Sequence, residues 1–185
     1  MIETPSYQDY LPGSHCSFCG TKFAEQDSYP RPCYHCGNVA YKNPVPVVVG
    51  IIPVHTRLYH SHCGWLIQQR NIDPGKGGWA LTSGYINYRE TWQQALVREL
   101  QEEVGLITRP EDYHLVEVVN AANHNMLIFG AHNYGVYSKE VHFSPNPEVS
   151  AIGFPMSPKY QELVFPVHNE VWQRYYNSLD DVGEP

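Results

Sequence analysis

The sequence contains no run that approaches the roughly 18 consecutive apolar residues of a membrane-spanning helix. Its first thirteen residues also lack the charged segment followed by an apolar stretch that marks a secretory signal. We therefore expect a cytoplasmic protein that has no membrane partner. Basic residues are few, with 12 Lys and Arg against 19 Asp and Glu, a net charge of −7. This balance argues against a chain that coats nucleic acid, because such binding needs Lys and Arg near the phosphates.

The composition is otherwise that of a globular protein. Of the 185 residues, 42% are hydrophobic and 13% are aromatic, which is enough to build a core. The length suits one domain of ordinary size with a small appended module. The acidic balance does not exclude a small phosphorylated ligand, since metal ions can neutralise its charge locally.

Four of the five cysteines form two Cys-x-x-Cys pairs with thirteen residues between them: Cys16, Cys19, Cys33 and Cys36. Zn²⁺ takes four ligands in a tetrahedron, and a two-residue gap lets both thiolates of a pair reach one ion. Gly20 and Gly37 follow the pairs and can adopt the positive φ of such a turn. The alternative is a pair of disulfides in a secreted domain. We favour a closed zinc ribbon with a structural role, and we assign Cys63 no role.

Apolar periodicity predicts an α/β fold. Two helices are expected, one beginning near Trp92 and one after Pro166, and the strands around them predict a mixed sheet covered by helices. The predicted strands span residues 45–54, 64–70 as its hairpin partner, 113–120, 126–134 and 148–154.

The helix that begins near Trp92 carries an unusual group of acids. Thr91 and Gln94 predict a capping box at its start, and Gly105 suits its C-terminal end. At 100° per residue, three carboxylates fall within an arc of about 100° on one face: Glu99, Glu102 and Glu103. Like charges at this spacing weaken a helix. They are explained if hard divalent cations bind among them; the alternative is a solvated acidic face.

The segment 84–106 matches, at every specified position, the pattern Gly-x5-Glu-x7-Arg-Glu-U-x-Glu-Glu-x-Gly-U, where U is a bulky aliphatic residue. A chance match is on the order of 10⁻⁸ at ordinary residue frequencies. This is the Nudix box, and the chain resembles a Nudix hydrolase. With the four-cysteine ribbon and the Tyr-x-Asn-Pro segment at 41–44, it resembles the zinc-ribbon branch, which includes NADH and FAD pyrophosphatases. The resemblance implies a Nudix-type α/β/α sandwich at 42–180, a zinc ribbon at 15–41 and a tail at 1–14.

The same resemblance implies a metal site and a reaction. Glu99, Glu102 and Glu103 would bind catalytic Mg²⁺ or Mn²⁺, with the backbone carbonyl of Gly84 as a further ligand. Arg98 would hold a carboxylate of the box in place through a bidentate pair, with an ordinary surface ion pair as the alternative. Water would then attack one phosphorus of a pyrophosphate in a nucleotide substrate.

Three more candidates are not among the fixed positions of the box. Glu148 is a candidate base, because some Nudix enzymes place theirs on a loop beyond the box; the alternative is a surface carboxylate. Arg70 ends a predicted strand and is a candidate phosphate contact, with a structural ion pair as the alternative. Tyr85, like Trp79, flanks the start of the box and would stack on a base, although such residues are more often core.

One departure concerns the approach to the box. The family commonly has Pro-Gly-Gly there, whereas this chain has Thr82, Ser83 and Gly84. Serine is bulkier than glycine where the backbone must approach a metal or phosphate closely. We therefore expect an assembled site with altered geometry.

The box fixes the bond that is cleaved but leaves the substrate open. The Ser-Gln-Pro-Trp-Pro-Phe-Pro motif of NADH pyrophosphatases is missing, and Ala121 and Ala122 stand where ADP-ribose pyrophosphatases often have proline. A dinucleotide such as FAD is favoured, or else a nucleotide sugar. The alternatives are a nucleotide-sensing module with little hydrolysis and an enzyme that processes RNA 5′ ends or caps. Many relatives are dimers, and the aromatic content would suit a homodimer interface.

Overall fold

The structure, a computed structural model, describes residues 13–24, 28–55, 62–121 and 124–180. The chain divides into two compact units, Met1–Pro44 and Val45–Pro185. Among the residues that the structure describes, no helix is both long enough and apolar enough to cross a bilayer.

The smaller unit is built around its cysteines. Its two short strands, β1 (Arg31–Pro32) and β2 (Val39–Ala40), pair antiparallel. Its small core contains Cys16, Phe23 and Cys33, all of which are buried.

The larger unit contains two helices, α1 (Trp92–Val104) and α2 (Pro166–Asp180). It also contains three short 3-10 turns, Pro110–Asp112, Ser138–Glu140 and Pro158–Tyr160. Its strands are β3 (Val45–Ile51), β4 (Pro53–His55), β5 (His62–Trp65), β6 (Ile67–Arg70), β7 (Trp79–Ala80), β8 (Ser83–Tyr85), β9 (Tyr113–Asn120), β10 (Asn125–His132), β11 (Val136–Tyr137) and β12 (Val149–Gly153).

These strands form a mixed sheet and two smaller ones. The four-stranded sheet has the order β8-β3-β10-β9, in which β3 and β10 are parallel and the other neighbours are antiparallel. The smaller sheets have the orders β11-β4-β5 and β12-β6-β7. The register pairs Gly84 of β8 with Val48 of β3, which places the start of the box beside the central strand.

The alternation of side chains along β3 explains why helices pack on both faces of the sheet. Val47 and Val49 pack into a core cluster with Trp172 of α2, whereas Val48 packs into a second cluster with Leu96 of α1. Because successive side chains of a strand point to opposite faces, the two helices cover opposite faces of the sheet. The predicted α/β/α sandwich with a mixed sheet is confirmed.

Most of the strands predicted from the sequence are present in the structure. The predicted strand 45–54 is interrupted at Ile52, and only β5 of the predicted partner pairs with it. The prediction is wrong for residues 67–70, because β6 pairs with β7 and β12 in another sheet. Strands β7, β8 and β11 were not predicted, since two or three residues are too few to show a period. The middle of the predicted turn at 121–125 and the Cys63 side chain lie outside the described residues.

The first helix has the predicted bounds and caps. The Thr91 hydroxyl accepts a hydrogen bond from the backbone N–H of Gln94 at 3.2 Å, and the Gln94 side chain accepts one from the backbone N–H of Thr91 at 2.9 Å. Gly105 closes the helix with φ 68°, a conformation that suits glycine. The sequence therefore fixes where the acidic face begins and ends.

We expect Thr91→Ala to lower the free energy of unfolding by about 1 kcal/mol, because the N-terminal turn loses a hydrogen-bond acceptor. Urea unfolding followed by far-ultraviolet circular dichroism measures the change. Thr91→Ser keeps the acceptor and is the matched control. Equal midpoints for the two variants would contradict the role of the capping box.

Candidate active site

Arg98 is the centre of a charged cluster on one face of α1. Its Nε and Nη2 donate to the two carboxylate oxygens of Glu90 at 2.8 and 3.0 Å. Its Nη1 lies 2.6 Å from Glu99 Oε1 and 3.3 Å from Glu102 Oε2. Nη2 also donates to the backbone carbonyl of Tyr85 at 2.9 Å. One guanidinium thus ties three carboxylates of the box to the end of β8.

The bidentate pair of Arg98 is made with Glu90, whereas Glu99 and Glu102 each receive one of its nitrogens. The hydrogen bonds from Arg98 lower the pKa of Glu90 to about 2. Glu90 also accepts a hydrogen bond from the backbone N–H of Asn87 at 2.8 Å. It is therefore a permanent anion that orients Arg98.

Glu103 lies in a different environment from its neighbour on the helix. It is 6% exposed, whereas the side chain of Glu102 is 61% exposed. The amide nitrogen of Gln68 donates to Glu103 Oε2 at 2.7 Å, and the hydroxyl of Thr82 donates to Gln68 Oε1 at 2.9 Å. Asn146 donates to the backbone carbonyl of Glu103 at 2.9 Å. Burial is the main reason that the pKa of Glu103 is raised to about 7.

Glu99 lies directly against the start of the box. A Cβ atom added to Gly84 would collide with the Glu99 carboxylate, so a larger residue would displace this carboxylate from its position. Burial raises the pKa of Glu99, and the charges of Glu102 and Glu148 raise it further, against the effect of Arg98. Buried carboxylates beside a close backbone are a donor set that fits a hard divalent cation.

Glu148 lies just before β12, close enough to Glu99 and Glu103 for its charge to act on both. Its charge contributes to the raised pKa of both Glu99 and Glu103. Asn146 holds the segment by accepting hydrogen bonds from the backbone N–H groups of Glu148 and Val149 at 3.0 and 2.9 Å. The role of Glu148 as a base stays a prediction.

Arg70 approaches the site from the end of β6. Its Nε donates to the carbonyl of Pro74 at 2.8 Å, and its guanidinium lies 5.2 Å from the ring centre of Phe165. Its positive charge acts to lower the pKa of Glu103, against the dominant effect of burial. Among the described residues it joins none of the ion pairs within 4.0 Å, which disfavours the structural alternative.

Tyr85 is 59% exposed, so it is not a core residue. Its backbone carbonyl binds Arg98, and its ring stands on β8 beside Gly84. Trp79, in contrast, packs against the core cluster that contains Trp172.

The four cysteines form the one group of three or more Cys, His, Asp or Glu ligand atoms within 4.8 Å of one another in the described part of the chain. The box glutamates are not gathered so closely, because Arg98 lies between Glu99 and Glu102 while Glu103 turns towards Gln68. This separation agrees with the mutual repulsion of like charges.

The geometry of the cysteine cluster fits zinc. The sulphur atoms of Cys16 and Cys36 are 3.7 Å apart, as are those of Cys19 and Cys33. Four sulphurs about 2.3 Å from a central Zn²⁺ would be roughly 3.8 Å from one another. None of these four cysteines forms a disulfide, so the disulfide alternative is not supported.

Local backbone geometry positions the two cysteine turns in the same way. The N–H of Gly20 donates to the carbonyl of Cys16 at 2.9 Å, and the N–H of Gly37 donates to that of Cys33 at 2.8 Å. Both glycines have positive φ, 76° and 73°. The hydrogen bond with the Thr21 hydroxyl is the largest effect that lowers the pKa of Cys19 to about 6, which favours the thiolate.

The NUDIX domain family model matches residues 45–169, which is most of the chain. The chain belongs to the Nudix family. A solved Nudix hydrolase from Nitrosomonas europaea has a similar fold, with a TM-score of 0.61 and 22% identity, over 93% of this chain and 94% of that one.

Two curated Nudix relatives are similar in part. The NAD-capped RNA hydrolase NudC of Haemophilus influenzae is 31% identical over 93 residues, which are 49% of this chain and 33% of NudC. The ADP-ribose pyrophosphatase of Methanocaldococcus jannaschii is 38% identical over 69 residues, 37% of each protein. The matched segments span about a third of the length of these relatives.

Three residues that contact the candidate site were not among the residues predicted from the sequence: Gln68, Thr82 and Asn146. Gln68 had a signal, since it is a polar residue that follows Leu66 and Ile67 in a buried strand. Thr82 was noted only as a departure from the family pattern. No local signal connected Asn146 to the backbone of Glu103, which is 43 residues away.

We expect the protein without Mg²⁺ to lose stability as the pH rises from 5 to 8, in part because Glu103 must ionise while buried. Its pKa of about 7 lies above the ordinary 4.5, so the folded state binds a proton more readily than the unfolded state. The proton on Glu103 therefore stabilises the folded state at low pH. This stabilisation is lost as the pH rises from 4.5 to about 7, and the total loss is about 3 kcal/mol at pH 8.

Glu103→Gln removes this ionisation and keeps an oxygen that can accept from Gln68. The variant should melt at a higher temperature than the unaltered protein at pH 8 and at nearly the same temperature at pH 5. Thermal unfolding of both proteins across this range isolates the effect, because all other groups are shared. A difference that does not depend on pH would contradict the assignment.

Proposed function

We propose that this Nudix protein is a metal-dependent pyrophosphohydrolase that cleaves a nucleoside diphosphate linked to a second group. The observation that carries the proposal is the arrangement of Glu99, Glu102 and Glu103 on one helix face, where Arg98 binds Glu99 and Glu102, and Gly84 lies against Glu99. A solvated acidic face would need neither the burial of Glu103 nor the glycine contact.

Glu99, Glu102 and Glu103 would hold Mg²⁺ or Mn²⁺, and the carbonyl of Gly84 would add a neutral oxygen ligand. The bound cations would neutralise phosphoryl oxygens and lower the pKa of a bound water. Arg98 is a positioning residue, since all its nitrogens are engaged by Glu90, Glu99, Glu102 and Tyr85. It fixes the carboxylates before the substrate arrives.

Glu148 is the proposed general base. It lies just before β12, its charge acts on Glu99 and Glu103, and its backbone is held by Asn146. The base would accept the proton of the attacking water and leave the helix carboxylates to bind cations.

Arg70 is the proposed contact for a substrate phosphate. The carbonyl of Pro74 and the ring of Phe165 restrain its side chain, which reduces the entropy lost on binding an oxyanion. Tyr85 presents an exposed ring beside the box and would stack on the base of the nucleotide.

The substrate class rests on shared chemistry. The curated relatives are named for NAD-capped RNA and for ADP-ribose. These compounds and FAD each contain adenosine diphosphate linked to a second group. We therefore propose a dinucleotide or an ADP-ribose derivative as the substrate, with the pyrophosphate bond as the point of cleavage.

We expect the purified chain with Mg²⁺ or Mn²⁺ to split one member of a panel into two monophosphate products, identified by mass spectrometry. The panel contains FAD, NADH, NAD, ADP-ribose, a nucleotide sugar and an NAD-capped RNA. Glu102→Gln should lower kcat by at least about 10²-fold, since one metal ligand loses its charge. Glu170→Gln, an exposed carboxylate change on α2, is the matched control.

Two outcomes would count against this function. Equal turnover by Glu102→Gln and Glu170→Gln would show that the box carboxylates do not support hydrolysis. No turnover of any substrate, combined with a rise in melting temperature on adding ADP-ribose, would favour the nucleotide-sensing alternative.

We also propose that the four cysteines bind one structural Zn²⁺ within a ribbon at 15–41, ahead of a hydrolase domain at 42–180. The sulphur spacing supports this assignment. A small unit with three buried residues in its core gains folding free energy from a metal.

We expect one zinc per chain by elemental mass spectrometry, and loss of that zinc in the double variant Cys19→Ser, Cys36→Ser. Two of four ligands would be missing, which a closed tetrahedral site does not tolerate. Cys63→Ser, a change outside the four-cysteine pattern, is the control and should retain the zinc. Retention of zinc by the double variant would disprove the assignment.

A further inference from the structure

A buried chain of hydrogen bonds connects the departure at position 82 to the metal-site carboxylate. Thr82 and Gln68 are each 1% exposed, and Glu103 is 6% exposed. The Thr82 hydroxyl donates to Gln68 Oε1 at 2.9 Å, and Gln68 Nε2 donates to Glu103 Oε2 at 2.7 Å. The three side chains come from different parts of the fold, since Gln68 lies on β6, Thr82 precedes β8 and Glu103 is near the end of α1.

The chemistry of the three side chains decides which group donates and which accepts in each of these hydrogen bonds. An ionised carboxylate only accepts hydrogen bonds, so Gln68 must turn its NH₂ group towards Glu103. Its carbonyl then points to Thr82, and a hydroxyl can donate there. If the amide were reversed, its carbonyl oxygen would face the Glu103 carboxylate. The ionised Glu103 carboxylate therefore selects the amide orientation, the Thr82 hydroxyl donates to the Gln68 carbonyl that results, and Gln68 holds one oxygen of Glu103.

The backbone on both sides of this chain is also held. The carbonyl of Thr82 accepts a hydrogen bond from the N–H of Gly50 on the central strand β3 at 2.9 Å. The carbonyl of Glu103 accepts one from the Asn146 side chain at 2.9 Å. The backbone is thus anchored at both Thr82 and Glu103, the two ends of this series of hydrogen bonds.

We propose that Thr82 and Gln68 are positioning residues that hold one oxygen of Glu103 and leave the other free to bind the catalytic divalent cation. This inference rests on the proposed function, in which Glu103 is a metal ligand. It gives a reason for threonine where the family commonly has proline. Proline has no hydroxyl and would leave the carbonyl of Gln68 without its donor.

The test is direct titration with Mn²⁺, with the free ion measured by electron paramagnetic resonance, on the full chain with its zinc retained. Thr82→Val and Gln68→Met keep the approximate shape and remove the hydrogen bonds. Partners of metal ligands typically change affinity 10–100-fold when they are removed, so we expect a weakening of about 10-fold or more. Thr82→Ser keeps the hydroxyl and should bind Mn²⁺ like the unaltered protein.

Two further measurements separate positioning from a structural role. The melting temperature without Mg²⁺ reports folding, and the apparent Mg²⁺ constant is measured apart from kcat at saturating Mg²⁺. Positioning predicts that Thr82→Val raises the Mg²⁺ constant more than it lowers kcat. A lower melting temperature with unchanged Mn²⁺ affinity in either variant would overturn the proposal. If Thr82→Val does not fold, Gln68→Met decides, and Thr82→Ser must still match the unaltered protein.

Glu103→Gln distinguishes failure of this inference from failure of the proposed function. If Glu103→Gln weakens Mn²⁺ binding and the Thr82 and Gln68 variants do not, the function stands and the positioning role is wrong. If Glu103→Gln binds Mn²⁺ as well as the unaltered protein, Glu103 is not a metal ligand and both proposals fail.

Discussion

The site depends on one guanidinium that offsets the repulsion between carboxylates on a single helix. Arg98 contacts Glu90, Glu99 and Glu102 and also the carbonyl of Tyr85. An arginine suits this task because its planar group offers five donors in fixed directions, whereas a lysine would offer a compact charge. Since Tyr85 belongs to β8, the same residue joins the helix to the sheet.

The packing of α1 explains why its glutamates differ. Leu96, Leu100 and Val104 must face the sheet, and all three are fully buried. The stripe brings Glu103 inward, next to Val104, and leaves Glu102 on the solvent side. A buried carboxylate needs hydrogen-bond donors, and the donor here is Gln68 from a neighbouring sheet. The core and the site are therefore parts of one packing arrangement.

The sequence predicted the features that depend on local spacing. The capping box, Gly105 and the acidic face of α1 all follow from residues within one helix, and the cysteine turns follow from two-residue gaps. The partner of β6 was not predictable, because an apolar run shows that a strand is buried but does not show which strand lies beside it. The Gln68–Glu103 contact was hidden for the same reason, since it joins residues 35 positions apart.

Similar reasoning explains the expected role of Arg98. The resemblance implied a bidentate pair between Arg98 and a carboxylate of the box. In the structure this pair is made with Glu90, eight residues earlier, which follows the turn between β8 and α1. A turn of this kind has no periodicity, so its path is decided by contacts such as that between the backbone of Asn87 and Glu90.

The charges around the site connect metal binding to substrate binding. Acidic side chains outnumber basic ones around the site. Two guanidiniums, those of Arg70 and Arg98, lie near five carboxylates, those of Glu90, Glu99, Glu102, Glu103 and Glu148. All the nitrogens of Arg98 already donate to neighbouring groups. A pyrophosphate would add further negative charge to this group, and repulsion between unit charges a few ångströms apart amounts to about 4 kcal/mol even at an effective dielectric constant of 20. Arg70 alone cannot offset several such terms. Under the proposed function, an anionic substrate would therefore require divalent cations at these glutamates, and each would strengthen the binding of the other.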